Sequence, residues 1–127
     1  QMDKADWVAR KRNENHLQYA RQLKDCVEFQ DWGNNKPVSI SFGALAKSTA
    51  HRTEIVKRLV KNGVETRIFS AGNLRLHPFW NHVEETIDPD EMGTRIHQTG
   101  FFLPNYPEMT PEDIDFICSV VSARAYF

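Results

Sequence analysis

A chain of 127 residues, 40% hydrophobic and with a formal charge of −1, is sized for one domain around one core. Neither half is strongly basic, which argues against a nucleic-acid partner, and no apolar run approaches membrane-spanning length. The N-terminus lacks the apolar stretch of a secretory leader.

Residues 4–25 read as one long helix without internal Gly or Pro. Its apolar residues, Trp7, Val8, Leu17, Tyr19, Ala20 and Leu23, form a thin stripe that packs on one narrow side or against something outside this chain. The basic run Arg10-Lys11-Arg12, with Asp3, Asp6 and Glu14 around it, reads as a solvated helix face. Val27 and Phe29 alternate with polar residues as in a short strand, and Gly33-Asn34-Asn35-Lys36-Pro37 is a turn cluster. Val38 to Ala44 reads as a strand with Val38, Ile40 and Phe42 on one face.

Ser48 or Thr49 caps a second helix, with Ile55, Val56, Leu59 and Val60 as its apolar stripe and Arg52, Lys57, Arg58 and Lys61 facing water. Gly63 closes that helix in the left-handed conformation. Val64, Thr66, Ile68 and Phe69 suit a half-buried strand, which runs into a turn at Gly72. The Leu76 to Trp80 stretch is rich in aromatics, and 81–88 is polar. Asp88-Pro89 starts a short helix with Met92 and Ile96 as its apolar face, ended by Gly100. Phe101-Phe102-Leu103 reads as a buried strand. Thr110-Pro111-Glu112-Asp113 opens a last helix, with Ile114, Ile117, Cys118 and Val121 inward. The order implies an α+β fold: a small mixed or antiparallel sheet with helices packed on one face. Its β-α-β unit is right-handed and leaves room for a third, antiparallel strand beside or between the first two.

The two cysteines, Cys26 and Cys118, have no metal-type spacing and read as reduced, buried thiols of a cytosolic protein. The sequence holds no Gly-rich phosphate loop and no HExxH. Of the histidines, His77 and His82 lie close together near Asn81 and Glu84; the reading is surface histidines, not metal ligands. Past Gly72, which lets backbone and ligand approach closely, Asn73, Arg75 and His77 follow at spacing two. Arg67, on the preceding strand, reads either as an anion-binding group or as one half of a structural ion pair with Glu65 or a helix carboxylate.

Three stretches carry a resemblance. Gln1-Met2-Asp3-Lys4 leading into Lys11-Arg12-Asn13-Glu14-Asn15 is the first. Gly63-Val64-Glu65-Thr66-Arg67 with Ala71-Gly72-Asn73-Leu74 is the second. Gly100-Phe101-Phe102-Leu103-Pro104-Asn105-Tyr106-Pro107 with Met109-Thr110-Pro111-Glu112-Asp113-Ile114-Asp115 is the third. In this order they resemble the DegT/DnrJ/EryC1/StrS family of pyridoxal-phosphate-dependent sugar aminotransferases and dehydratases, over nearly the whole chain.

The resemblance implies an aspartate-aminotransferase-type fold, of which residues 1–127 are the small C-terminal domain; Gln1 as first residue fits a cut chain or a removed tag. It implies a nucleotide-linked 4-keto-6-deoxy sugar as substrate, in deoxysugar and lipopolysaccharide biosynthesis, with Asn73, Arg67, Arg75 and His77 facing it. Family members usually carry Pro-Leu-His where this chain has Ala71-Gly72-Asn73, a form similar to the nucleotide-sugar 3-dehydratases. The family's Schiff-base Lys, or the His replacing it, lies in the large domain. No catalytic residue is therefore assigned here, and pyridoxal or pyridoxamine phosphate is expected in the parent enzyme but not on this chain. A homodimer or higher oligomer is expected from the thin first helix and from Phe79 and Trp80. The alternative is a free-standing α+β binding module without catalysis.

Overall fold

The computed structural model describes residues 2–33, 35–68 and 92–123. Two strands form the sheet, β1 (Ser41–Leu45) and β2 (Gly100–Pro104). They pair antiparallel, with Phe42 opposite Leu103 and Ala44 opposite Phe101. These four side chains are buried, so one face of the sheet is the core face. Single bridges extend it on both sides, Glu28 to Leu45 and Arg67 to Phe102, both antiparallel. Segment 100–104 thus lies between β1 and the Arg67 segment, the inserted antiparallel arrangement that the element order allows.

Helices α1 (Met2–Leu23), α2 (Thr49–Lys61) and α4 (Pro111–Ser122) supply the rest of the core through Tyr19, Leu23, Ile55, Leu59, Ile114 and Val121. A fourth, α3 (Met92–Thr99), runs directly into β2. The caps follow the local chemistry. Ser48 accepts from the His51 N–H at the start of α2. Thr110 and Asp113 close a reciprocal capping box on α4, with Pro111 in the first turn. Gly63, at φ +73°, ends α2 with paired bonds from Gly63 N to Val60 O and from Val64 N to Leu59 O.

Several details differ from the sequence expectation, among them the segment 64–68, which joins the sheet through the single Arg67 bridge and leaves Ile68 exposed. β1 begins at Ser41, and Val38 and Ile40 are exposed. Residues 37–39 are held by side chains instead of a ladder: Asn13 Nδ2 donates to Pro37 O, and Asn105 Nδ2 to Ser39 O. Val60 is 66% exposed, so the inward stripe of α2 is Ile55 and Leu59. Met92 is exposed as well; the buried side chains of α3 are Thr94 and Thr99. Cys118 is buried and Cys26 only partly so, both as free thiols.

Arg52 and Arg58 do not simply face water. Arg52 Nη1 donates to the carbonyls of His97 and Gly100, and Arg58 donates from Nε to Val120 O and from Nη2 to Val121 O. The carbonyls at a helix C-terminus lack intrahelical donors and carry the negative end of the helix dipole, so α2 fastens the ends of α3 and α4 with cations. Arg58→Ala removes two such bonds and is expected to lower unfolding free energy by about 1.5–3 kcal/mol, with Lys57→Ala, on the exposed side, nearly neutral. Urea denaturation checks this; equal midpoints for the two variants would refute it.

Candidate functional site

The core-facing pairs dictate what points the other way. With Phe42, Ala44, Phe101 and Leu103 inward, the pair Gly43 and Phe102 belongs to the opposite, outer face, as does Arg67 through its bridge to Phe102. Beside this face lies a groove of about 630 Å³, lined by Phe102, by Met92 and Ile96 of α3, and by Phe29, Trp32 and His16 among others. An ion pair of 2.6 Å between Arg95 of α3 and Glu28 ties two of its banks together.

A second recess of about 200 Å³ shares Ser41 and Phe102 with the groove and adds Thr66, Arg67, Asn105 and Tyr106. The backbone fixes Arg67 there: Phe102 N donates to Arg67 O at 2.7 Å, and the Thr66 hydroxyl donates to Phe102 O at 2.9 Å. The Arg67 side chain is 78% exposed, and its Nη2 lies 3.2 Å from Glu65 Oε1. Glu65 Oε2 accepts from the Tyr106 hydroxyl at 2.9 Å. That hydrogen bond and the Glu65 charge keep the phenol protonated above its ordinary range.

His16 is 6% exposed, its ring 4.9 Å from Phe42 and 6.1 Å from Trp32 by centroids. Nδ1 lies 3.2 Å from Ser39 Oγ. Burial lowers its pKa, so near neutral pH the ring is uncharged. Its hydrogen-bond partner is a hydroxyl and not a carboxylate, so nothing here builds a charged acid–base pair around it.

Of the residues the sequence puts forward, Arg67 is on the outer face, paired with Glu65 as the structural reading of it required. Asn73, Arg75 and His77 lie outside the described residues, as do His82, Phe79, Trp80 and the Asp88-Pro89 helix start. Sequence reasoning missed His16, Trp32 and Tyr106. A signal for His16 existed: Arg12, Asn15, His16, Tyr19 and Leu23 fall on one face of α1 once polar residues are admitted to the stripe. Among the described residues no cluster of His, Cys, Asp or Glu could hold a metal ion, and no described helix is long and apolar enough to cross a membrane.

The sequence model described as the DegT/DnrJ/EryC1/StrS aminotransferase family matches residues 1–122. The chain is 27% identical over 126 residues to the lipopolysaccharide biosynthesis protein RfbH of Salmonella typhimurium, covering 94% of this chain and 29% of that protein. Its fold is similar to that of the sugar aminotransferase CalS13 from Micromonospora echinospora, with a TM-score of 0.77 at 18% identity over 96% of this chain and 32% of the other. It is similar too to the E. coli GDP-4-keto-6-deoxy-D-mannose-3-dehydratase with bound hydrated PLP: TM-score 0.75, 19% identity, 94% and 32% of the two chains. The chain therefore spans about a third or less of the relatives it matches.

The residues described here do not fit that cofactor. A covalent partner for its aldehyde is a desolvated, neutral amine, and every described lysine is exposed except Lys11, which is half-buried and paired with Glu14 at 3.6 Å. Among the described residues no carboxylate is buried to meet a pyridine nitrogen either, Asp115 excepted in part, and that residue accepts from Gln18 and Gln22.

The groove histidine makes a pH prediction. The folded pKa of His16 lies below 6.5, so below that pH the unfolded chain binds more protons. Its part of the stability is whole above 6.5 and is lost as pH falls towards the folded value. His51, lowered chiefly by burial and then by Lys47 and Arg58, acts in the same direction. The variant His16→Gln is expected to show a smaller loss of melting temperature than the parent between about pH 7.5 and about pH 5.5. Parallel curves for the two proteins would refute it.

Proposed function

The chain belongs to the DegT/DnrJ/EryC1/StrS aminotransferase family, and from that premise we propose that it is the small C-terminal domain of a pyridoxal-phosphate-dependent enzyme acting on a nucleotide-linked 4-keto-6-deoxy sugar. The observation that carries the reading is a mismatch of lengths. The match runs along 94% of this chain, yet that is 29% of RfbH, and no described residue fits the cofactor. A domain of this kind supplies a wall of the substrate pocket, while the cofactor, held elsewhere in the parent, supplies the bond chemistry. The outer sheet face is the surface suited to that role. It is recessed, partly apolar, and bears Arg67, which precedes Ala71-Gly72-Asn73 in the sequence.

Within this reading the chain sits with the 3-dehydratases rather than with the simple transaminases. The motivation is Asn73, in place of the family's substrate-facing His. An amide donates and accepts at once, which suits sugar hydroxyls and a keto oxygen. It cannot carry a proton near neutral pH, so its role is orientation.

In the full-length parent, Asn73→Ala is expected to raise the barrier measured by kcat/KM by about 1–3 kcal/mol, with little change in melting temperature. Steady-state kinetics and thermal melting on one preparation test it. Unchanged kinetics with a large drop in melting temperature would make Asn73 a structural turn residue and remove it from the site.

A further inference from the structure

The turn from β1 into α2 is closed by a side chain whose hydrogen bonding depends on pH. Ser48 is the N-cap of α2, and its Oγ accepts from the His51 N–H at 3.0 Å. In a capping box the residue three positions after the cap returns a bond to the backbone through a Glu or Gln oxygen. Here His51 holds that position, and the first turn of α2 has no acidic residue. His51 Nδ1 accepts from the Lys47 N–H at 3.0 Å. A backbone amide can only donate, so Nδ1 is the unprotonated nitrogen and the proton of the neutral ring sits on Nε2.

A carboxylate at this position accepts throughout the neutral range. An imidazole accepts only while it is neutral, since both nitrogens of the charged ring donate. Charging it also sets a cation against the positive end of the α2 dipole. The surroundings press the same way: burial first, then Lys47 in the turn and Arg58 on α2, lower the His51 pKa, and Glu54 opposes them. Arg52 on the same helix, and His97 in the last turn of α3, which packs on α2, add no negative charge.

The His51 bond lies between two links to the end of α3. On one side Ala46 N donates to Thr99 O at 2.8 Å. On the other, Arg52 Nη1 donates to His97 O at 2.9 Å and to Gly100 O at 3.3 Å. We propose that His51 is an acid-released clasp: its unprotonated Nδ1 fixes the 46–48 turn onto the first turn of α2, and protonation opens that turn and loosens the seat of the α3–β2 junction on α2. The clasp is whole above pH 6.5 and is lost as pH falls through the lower folded value. It is independent of the substrate reading above.

NMR on the chain itself tests the clasp. Long-range proton–nitrogen spectra at about pH 7.5 are expected to show His51 with Nδ1 unprotonated and Nε2 protonated. On acidification to about pH 5, protection of the Lys47 amide relative to its intrinsic exchange rate is expected to fall about 5-fold, the ratio one typical cap contributes. Protection of the Ala46 amide is expected to fall with it. His51→Asn places an oxygen that does not titrate where Nδ1 was, and both amides are expected to hold in it. In His51→Ala the Lys47 amide is expected to lack that protection at either pH. A proton on Nδ1 in the neutral ring, or a Lys47 amide whose protection does not change with pH, would overturn the proposal. So would an Ala46 amide that stays protected while Lys47 loses protection. The same acid loss in His51→Asn, which keeps His16, would also overturn it by moving the cause away from His51.

Discussion

The Asn105 side chain is the constraint on which the arrangement depends. It is fully buried just past β2, and its Nδ2 donates to Ser39 O at 2.9 Å and to Arg12 O at 3.2 Å. One amide thereby joins α1, the entry to β1 and the exit from β2. Its neighbours do the same work: Asn13 to Pro37 O, Asn15 to Tyr106 O, and the Tyr19 hydroxyl to Pro104 O at 2.7 Å. This explains how a long helix with so thin an apolar stripe is docked. Directed hydrogen bonds from buried polar side chains replace area that the stripe does not have. The arrangement has a cost. Asn105 Oδ1 and Arg12 Nε are buried without partners, and each unmet group opposes folding by about 1–3 kcal/mol. The remaining bonds outweigh this only together, which makes the strap cooperative.

Because that strap and the three helices occupy the inner face, the outer face is left for other contacts. Phe42 and Leu103 pack inward while Phe102 and Arg67 turn outward, one residue along the same strands. Alternation along the strands is therefore what separates the core face from the face that bears Phe102 and Arg67. The cations divide in the same way. Arg52 and Arg58 serve helix ends from inside the fold, and Arg67 stays open on the other side.

What could be read in the sequence was whatever local chemistry decides. The α4 capping box needs only Thr110, Pro111 and Asp113, and the α2 stop needs only Gly63; both are where the sequence puts them. The inward set of α4, Ile114, Ile117, Cys118 and Val121, follows from period alone. The failures are long-range. Val38 and Ile40 have strand chemistry, but their stretch is claimed by side chains from α1 and by Asn105, so β1 starts late. Arg58 has the spacing of a solvent-facing residue, and only the approach of the α4 C-terminus gives it another role. On the outer face, Arg67 was put forward by the sequence from its place ahead of Gly72. His16 and Tyr106 were not, because each matters through partners 23 and 41 residues away.

The same division bears on the chemistry of the described residues. Desolvation, neighbouring charges and hydrogen bonds each shift a pKa, and among the described amines and carboxylates no group is fully buried. Both recesses on the outer face are open clefts, and the one buried titratable ring beside them, His16, is kept neutral against a hydroxyl. The described part of this surface presents the Arg67 cation and aromatic edges such as Phe102 and Trp32, with no buried amine or carboxylate beside them.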